Sequence, residues 1–239
     1  MTLDPATLAD DLDLLEHIEK ASLRLVVQAI YEFSAEAAEI FAREPDLVQD
    51  IGEDITREAL DRLSTSIIPV RLFGKMDYKR ARFIFHPDFS LRQALFVDSK
   101  AEDVSGAGTA TIQTAQTSMS IRQRRTGMDV SEQGGLPTIV AASGQTLLTT
   151  TIFVKYNYRD VPGALHELVD VAVLALPNGL LQERYNPDTI NTFWLAGRNA
   201  PTLGEAFRVR ISLRRLKSVT NWRVQRIHVS PSRSFTWED

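Results

Sequence analysis

Between residues 10 and 43 the apolar positions recur at helical spacing. Leu15, Ile18, Leu25, Val26, Ala29, Ile30, Phe33, Ala37, Ile40 and Phe41 fall on one stripe. The spacing predicts one long helix, or two joined near Ser34, stopped by Pro45, because a proline disfavours helical geometry in the residue before it. So apolar a stripe must be covered, either by the chain's own core or by a second copy. A shorter helix is expected over 54–63, before Pro69. Beyond it the apolar period changes from 3.6 to 2. Strand patterns occupy 70–85 and 92–100, then return at 147–158 (LLTTTIFVKYNY), 168–176, 207–213 and 222–229. The segment 101–146 is rich in Ser, Thr, Gln and Gly, carries the basic run RQRRTG at 122–127 and has weak periodicity, so it reads as long loops. Helices early and strands late predict an α/β chain, with a mixed central β-sheet flanked by helices. The expected organisation is a single domain over 1–239, with a helical part at about 8–65 and a sheet part at about 66–239.

Within that pattern, residues 75–100 carry the most chemistry. The strand pattern Leu95-Phe96-Val97 runs directly into Asp98-Ser99-Lys100. Side chains alternate along a strand, so Asp98 and Lys100 share one face. Asp77 lies about one hairpin upstream and can arrive on a neighbouring strand. Two carboxylates beside a lysine suit a hard divalent cation with an adjacent positive group, the equipment for metal-assisted phosphodiester hydrolysis. The bland alternative is a solvated strand end with a salt bridge. Against it stands the apolar run before Asp98, since buried strands usually shed charge rather than end in it. Glu53, at the expected start of the second helix, suits a cap or a group supporting this site.

Composition narrows the picture further. The 239 residues are 44% hydrophobic, enough for one sizeable core, with no linker-like or low-complexity run and no internal repeat. Cysteine is absent, which excludes disulfides and thiolate metal sites, and His17, His86, His166 and His228 show no ligand spacing. With no signal peptide and no apolar run near eighteen residues, the expectation is a soluble, cytoplasmic protein. The net charge of −4 hides an asymmetry: residues 1–62 carry 16 acids and 5 bases, the remainder 15 acids and 22 bases. The densest basic region holds Arg198, Arg208, Arg210, Arg214, Arg215, Lys217, Arg223 and Arg226 against only Glu205. An acidic helical part beside a basic functional part fits local binding of a polyanion; a merely solvated basic face fits the charge count equally well.

Arg208-Val209-Arg210 places two guanidinium forks on one face of a strand, each able to donate two hydrogen bonds to guanine O6 and N7. The alternative is an edge strand kept soluble by charge. At this point the chain resembles a known family along almost its whole length. LEHIEKASLRLVVQAIYEFSAEA at 15–37, EDITREAL at 53–60, MDYKRARF at 76–83, LFVDSKA at 95–101, TIFVKYNYRD at 151–160, QERYNPD at 182–188, LAGRNAP at 195–201 and WRVQRIHVS at 222–230 occur in that family's order. They are similar to the type II restriction endonucleases of the SfiI kind and, more distantly, of the BglI kind.

The resemblance implies the PD-(D/E)xK nuclease fold and Mg²⁺-dependent cleavage of both strands of DNA at a G·C-rich interrupted palindrome, leaving short 3′ overhangs. It implies Asp77, Asp98 and Lys100 as catalytic residues, with the metal held by Asp77, Asp98 and the backbone carbonyl of Ser99. Met76 stands where the signature has proline, a position often varied. The resemblance also implies Arg208 and Arg210 as guanine readers. Arg198 falls where the family carries a lysine that contacts a guanine edge. An acid soon after the lysine would accept from cytosine; Glu102 and Asp103 are the candidates, and Asp103 is preferred. A bacterial cytoplasmic homodimer is implied, with a homotetramer possible, although the chain ends at Asp239 where such enzymes run on, which puts the tetramer in doubt. Two other readings stay open: a repair or junction-resolving nuclease of the same fold, which would lack the paired guanine readers, and a catalytically silent DNA-binding protein, against which the three intact catalytic-type residues argue.

Overall fold

A computed structural model describes residues 2–44, 48–62, 82–142, 144–162, 164–196, 208–229 and 234–239. The N-terminal stripe forms two helices, α1 (Leu12–Glu32) and α2 (Ser34–Arg43), joined at Phe33 next to Ser34. Asp11 caps α1 by accepting from the Leu14 N–H at 3.0 Å. The next helix, α3 (Val48–Arg62), starts six residues earlier than its sequence expectation of 54. Its apolar face, Ile51, Ile55, Ala59 and Leu60, is buried and extends upstream of the EDITREAL stretch. Glu53 therefore sits in the second turn of α3 on its exposed side, and is not the cap.

The main sheet holds β1 (Arg82–His86), β2 (Leu91–Asp103), β7 (Gln145–Val161), β8 (Ala164–Leu176) and β11 (Val224–His228) in that order, with β6 (Ile139–Ala142) paired to the start of β7. Among the described strands of this sheet, β2 and β7 run parallel and the other pairings are antiparallel, so the sheet is mixed as its pattern predicted. One face, carrying Leu95, Ile152, Val154, Tyr156, Val171, Val173, Ala175 and Ile227, packs against the three helices in one apolar core. Ser99 and Tyr156 meet α3 on that side: Ser99 Oγ donates to Thr56 Oγ1 at 2.7 Å, and the Thr56 hydroxyl lies 2.9 Å from Tyr156 OH.

The segment expected to be loops is not. It forms β3 (Thr109–Gln113), β4 (Ile121–Arg125) and β5 (Met128–Glu132), followed by β6. Each strand is four or five residues long, too short for alternation to stand out. The RQRRTG run is a hairpin whose turn, Thr126-Gly127, has φ of 46° and 82°. Positive φ at both central positions matches the twist of the flanking strands, and Gly127 takes its share without Cβ strain. The connection after β2 also carries β3, whose partner β10 (Arg208–Ser212) lies almost a hundred residues later. With β9 (Trp194–Ala196) on its other side, β10 is the central strand of a second, three-stranded sheet. Two short helices, α4 (Gln182–Tyr185) and α5 (Leu213–Val219), flank β9 and β10 in sequence. Ala110, Ile112, Trp194, Val209 and Ile211 of this sheet pack with Phe153, Ala172 and Leu174 from the far face of the main sheet. The described helices include none long and apolar enough to cross a membrane.

Candidate active site

On β2 the alternation works as expected. Odd residues from Gln93 to Ser99 face the helices, while Asp98, Lys100 and Glu102 face the small sheet. Lys100 Nζ lies 3.4 Å from Asp98 Oδ2. Asp98 is 8% exposed, and Lys100 keeps about a quarter of its side chain in solvent. The carboxylate thus sits at the floor of the surface with its ammonium neighbour reaching outward. β1 pairs with β2 only from Leu91 to Leu95, so beyond Leu95 no described strand covers that edge of β2. Asp77 and Arg198 lie outside the described residues, as does the strand expectation over 70–81.

A buried side chain that sequence reasoning missed completes the described surroundings of Asp98. Gln116, 2% exposed, donates from Nε2 to Asp98 Oδ2 at 2.9 Å. Among the described residues no hydrogen bond engages the other oxygen, Oδ1. A carboxylate oxygen and a stretch of strand backbone without described partners supply the oxygen donors that suit a hard cation, which completes its shell with water and phosphate oxygens. The described residues contain no cluster of three or more His, Asp or Glu, so they fit such an ion only together with oxygens from elsewhere.

The same face carries a second missed group. Lys155 on β7, fully buried, pairs with Glu102 at 2.7 Å and donates to the carbonyls of Gly106, at 2.6 Å, and Thr109. Burial pushes its ammonium below lysine's ordinary range, opposed by Glu102. It pins the connection from β2 to β3 onto the sheet. Its sequence signal was a lone lysine inside the apolar run TIFVKYNY. Glu102 is thereby turned inward. Asp103 is exposed, accepts from the Ser105 N–H at 2.9 Å and caps the short turn that follows; that bond holds its carboxyl below the usual range.

Arg208 and Arg210 do share a face of β10, with Val209 and Ile211 buried on the other. Because β10 is central in its sheet, protection of an edge does not account for them. Arg208 pairs in register with Gln113, the last residue of β3, and the Arg125 guanidinium donates to the Arg208 carbonyl at 2.7 Å. The wider basic region is not one face, however. Arg223 is fully buried against Glu16 and Glu19, and Arg226 is paired with Asp170 at 2.9 Å. Part of the acid–base asymmetry along the sequence is therefore neutralised inside the protein.

A family model described as type II restriction enzyme SfiI matches residues 22–227. The chain belongs to the SfiI family. It is 38% identical to the type II restriction enzyme SfiI of Streptomyces fimbriatus over 245 aligned positions, covering 95% of this chain and 90% of that protein. Membership makes it a type II restriction enzyme, the class that the resemblance along almost its whole sequence implied. The crystal structure of tetrameric restriction endonuclease SfiI bound to cognate DNA superposes with a TM-score of 0.85 at 36% identity, covering 100% of this chain and 94% of that one. The restriction endonuclease BglI bound to its DNA recognition sequence superposes at 0.75 with 19% identity, over 95% and 94% of the two chains, and shares the fold with this SfiI-family chain.

Proposed function

We propose that the protein hydrolyses both strands of double-stranded DNA at a G·C-rich interrupted palindrome, dependent on Mg²⁺, leaving short 3′ overhangs. The observation that carries this reading is the placement of Asp98 and Lys100 side by side on β2, joined through β3 to a strand presenting Arg208 and Arg210 on one face. Asp98, Asp77 and the Ser99 carbonyl would hold the cation, which when bound polarises the scissile phosphate and acidifies the attacking water. The Lys100 ammonium orients that water and offsets charge developing on the phosphate. Arg208, Arg210 and Arg198 donate to guanine edges, and Asp103, free of the inward pairing that occupies Glu102, accepts from a cytosine amino group. Digesting plasmid DNA with and without Mg²⁺ and sequencing the cut ends tests the whole reading. Discrete bands with a common, symmetric end sequence support it. Structure-dependent nicking would mark a repair nuclease instead, and uncut DNA a silent binder.

Base reading separates from backbone binding by its sequence dependence. Arg208→Ala and Arg210→Ala are each expected to lose about 1–3 kcal/mol of discrimination at one guanine position. Loss of a phosphate-contacting base instead weakens all sequences alike and flattens the salt dependence. Competition binding between the mapped site and single-substituted duplexes distinguishes them; an unchanged cognate-to-random ratio in both variants would make these arginines structural.

Symmetric double-strand cleavage needs two active sites about a two-fold axis, so a homodimer is the smallest working unit, located with its DNA in the bacterial cytoplasm. We infer that two such dimers pair, as in the tetrameric relative. Sedimentation with the mapped duplex is expected to give a species of roughly four times the 26.8 kDa chain. Plasmids with two sites should be cut faster than plasmids with one. A species of half that mass and equal rates on both plasmids would limit the assembly to the dimer.

A further inference from the structure

We propose that Gln116 is a positioning residue that fixes the Asp98 carboxylate for its metal ion and ties it to the DNA-reading strand; this rests on the function proposed above. The carboxamide has no freedom to turn over. Its Oε1 accepts from the Gln113 N–H at 2.8 Å, so Nε2 must face Asp98 Oδ2, to which it donates at 2.9 Å. Lys100 approaches the same oxygen, at 3.4 Å. Both described partners, a neutral amide and an ammonium, therefore gather on Oδ2, and no described residue hydrogen-bonds Oδ1. A carboxylate held by the lysine alone would rotate about its last bond, since that torsion is broad and two-fold.

The segment bearing Gln116 is built rigidly. Thr117, Ser118 and Met119 are buried beside it. Gly135 N–H donates to the Thr114 carbonyl at 2.8 Å, Leu136 N–H to the Thr117 carbonyl at 3.0 Å and Gly179 N–H to Ser118 Oγ at 2.9 Å. A Cβ at Gly134 would stand 2.5 Å from the Met119 and Thr117 carbonyl oxygens, and one at Gly179 would overlap the Ser118 carbonyl oxygen. Glycine at both places lets neighbouring backbone close on the segment. The other end of the path is Gln113, which faces Arg208 across the β3–β10 ladder. One carboxamide and one ladder pair thus separate the catalytic carboxylate from a guanine-reading arginine. A capping role alone would need only the acceptor, Oε1. The donor aimed at Asp98 is what the proposal explains.

The test uses two variants of the full chain. Gln116→Met matches the volume without donor or acceptor; Gln116→Glu keeps the acceptor for Gln113 and replaces the donor with an oxygen that repels Asp98. Mg²⁺ is titrated calorimetrically into each protein bound to the mapped duplex with a non-hydrolysable scissile linkage, and duplex affinity in EDTA and thermal stability are measured alongside. Gln116→Met is expected to weaken Mg²⁺ binding by about 10–100-fold, as loss of a group orienting a metal ligand typically does, with metal-free duplex affinity changed less than about threefold. Gln116→Glu, studied below its own unfolding temperature, should lose about 10–100-fold in single-turnover cleavage at saturating Mg²⁺. If Gln116→Met fails to fold, the cleavage result of Gln116→Glu decides. Wild-type Mg²⁺ affinity in Gln116→Met, or wild-type cleavage by Gln116→Glu, overturns the inference. Asp98→Asn run in parallel separates the two levels: if it too binds Mg²⁺ normally, the metal-site reading itself is wrong.

Discussion

Asp98→Asn is expected to cut its site at least about a thousandfold more slowly than wild type at saturating Mg²⁺, while binding the uncut duplex without metal as well or more tightly. The two halves of this result have one cause. On the function proposed above Asp98 would supply the anionic ligand, so an amide there removes that charge and leaves the Lys100 ammonium, 3.4 Å away, in place. Metal-supported chemistry loses several kcal/mol of stabilisation of the developing charge. Duplex binding loses nothing, because a negative group has been taken away from where a phosphate must approach. The fold should persist, since the amide oxygen can still accept from Gln116. Single-turnover cleavage of an end-labelled duplex, read with a gel-shift titration in EDTA, checks both. Cleavage near the wild-type rate would remove Asp98 from the catalytic machinery.

The legible parts of this chain were those governed by local period. The amphipathic stripe of α1 and α2, their break near Ser34, and the buried runs that became β2, β7 and β8 all follow from 3.6- or 2-residue spacing. So does the pairing of Asp98 with Lys100 on one face, a direct product of strand alternation. What escaped was set by tertiary partners. β3 has too few residues to announce itself, and its stability comes from β10, brought to it by the fold. Gln116 is a neutral residue in a polar stretch, and nothing before the fold says that its amide will meet a carboxylate. The charge pattern misled in an instructive way: Arg223, counted with a basic face, is fully buried, because acids on α1 complement it there. Net charge by segment describes what a chain can present, and folding decides which part of it is spent internally.

That internal pairing carries the largest expected stability effect. Arg223→Met should destabilise the protein by about 3–5 kcal/mol at neutral pH, by leaving charges buried without their partner. Arg223 is fully buried, with Nη2 at 2.7 Å from Glu19 Oε2 and 3.3 Å from Glu16 Oε1, and its guanidinium lies over the Tyr185 and Trp222 rings. Glu19 is fully buried as well, its other oxygen accepting from the Asn178 N–H at 2.8 Å. Burial already raises the Glu19 carboxyl above its ordinary range, with Arg223 opposing the rise. Without Arg223 the carboxyl goes higher still. A carboxyl whose folded pKa exceeds its unfolded one costs stability at pH above both values, and that cost disappears as the pH falls through the folded pKa. The gap between Arg223→Met and wild type should therefore be widest near neutrality and narrow on mild acidification. Adding Glu19→Leu to Arg223→Met should recover a large part of the loss at neutral pH, because the stranded charge is then gone. Urea denaturation of the wild type and of the single and double variants, at neutral and mildly acid pH, measures all three claims. A pH-independent loss, or a double variant no more stable than Arg223→Met, would assign the effect to lost packing of the arginine stem instead.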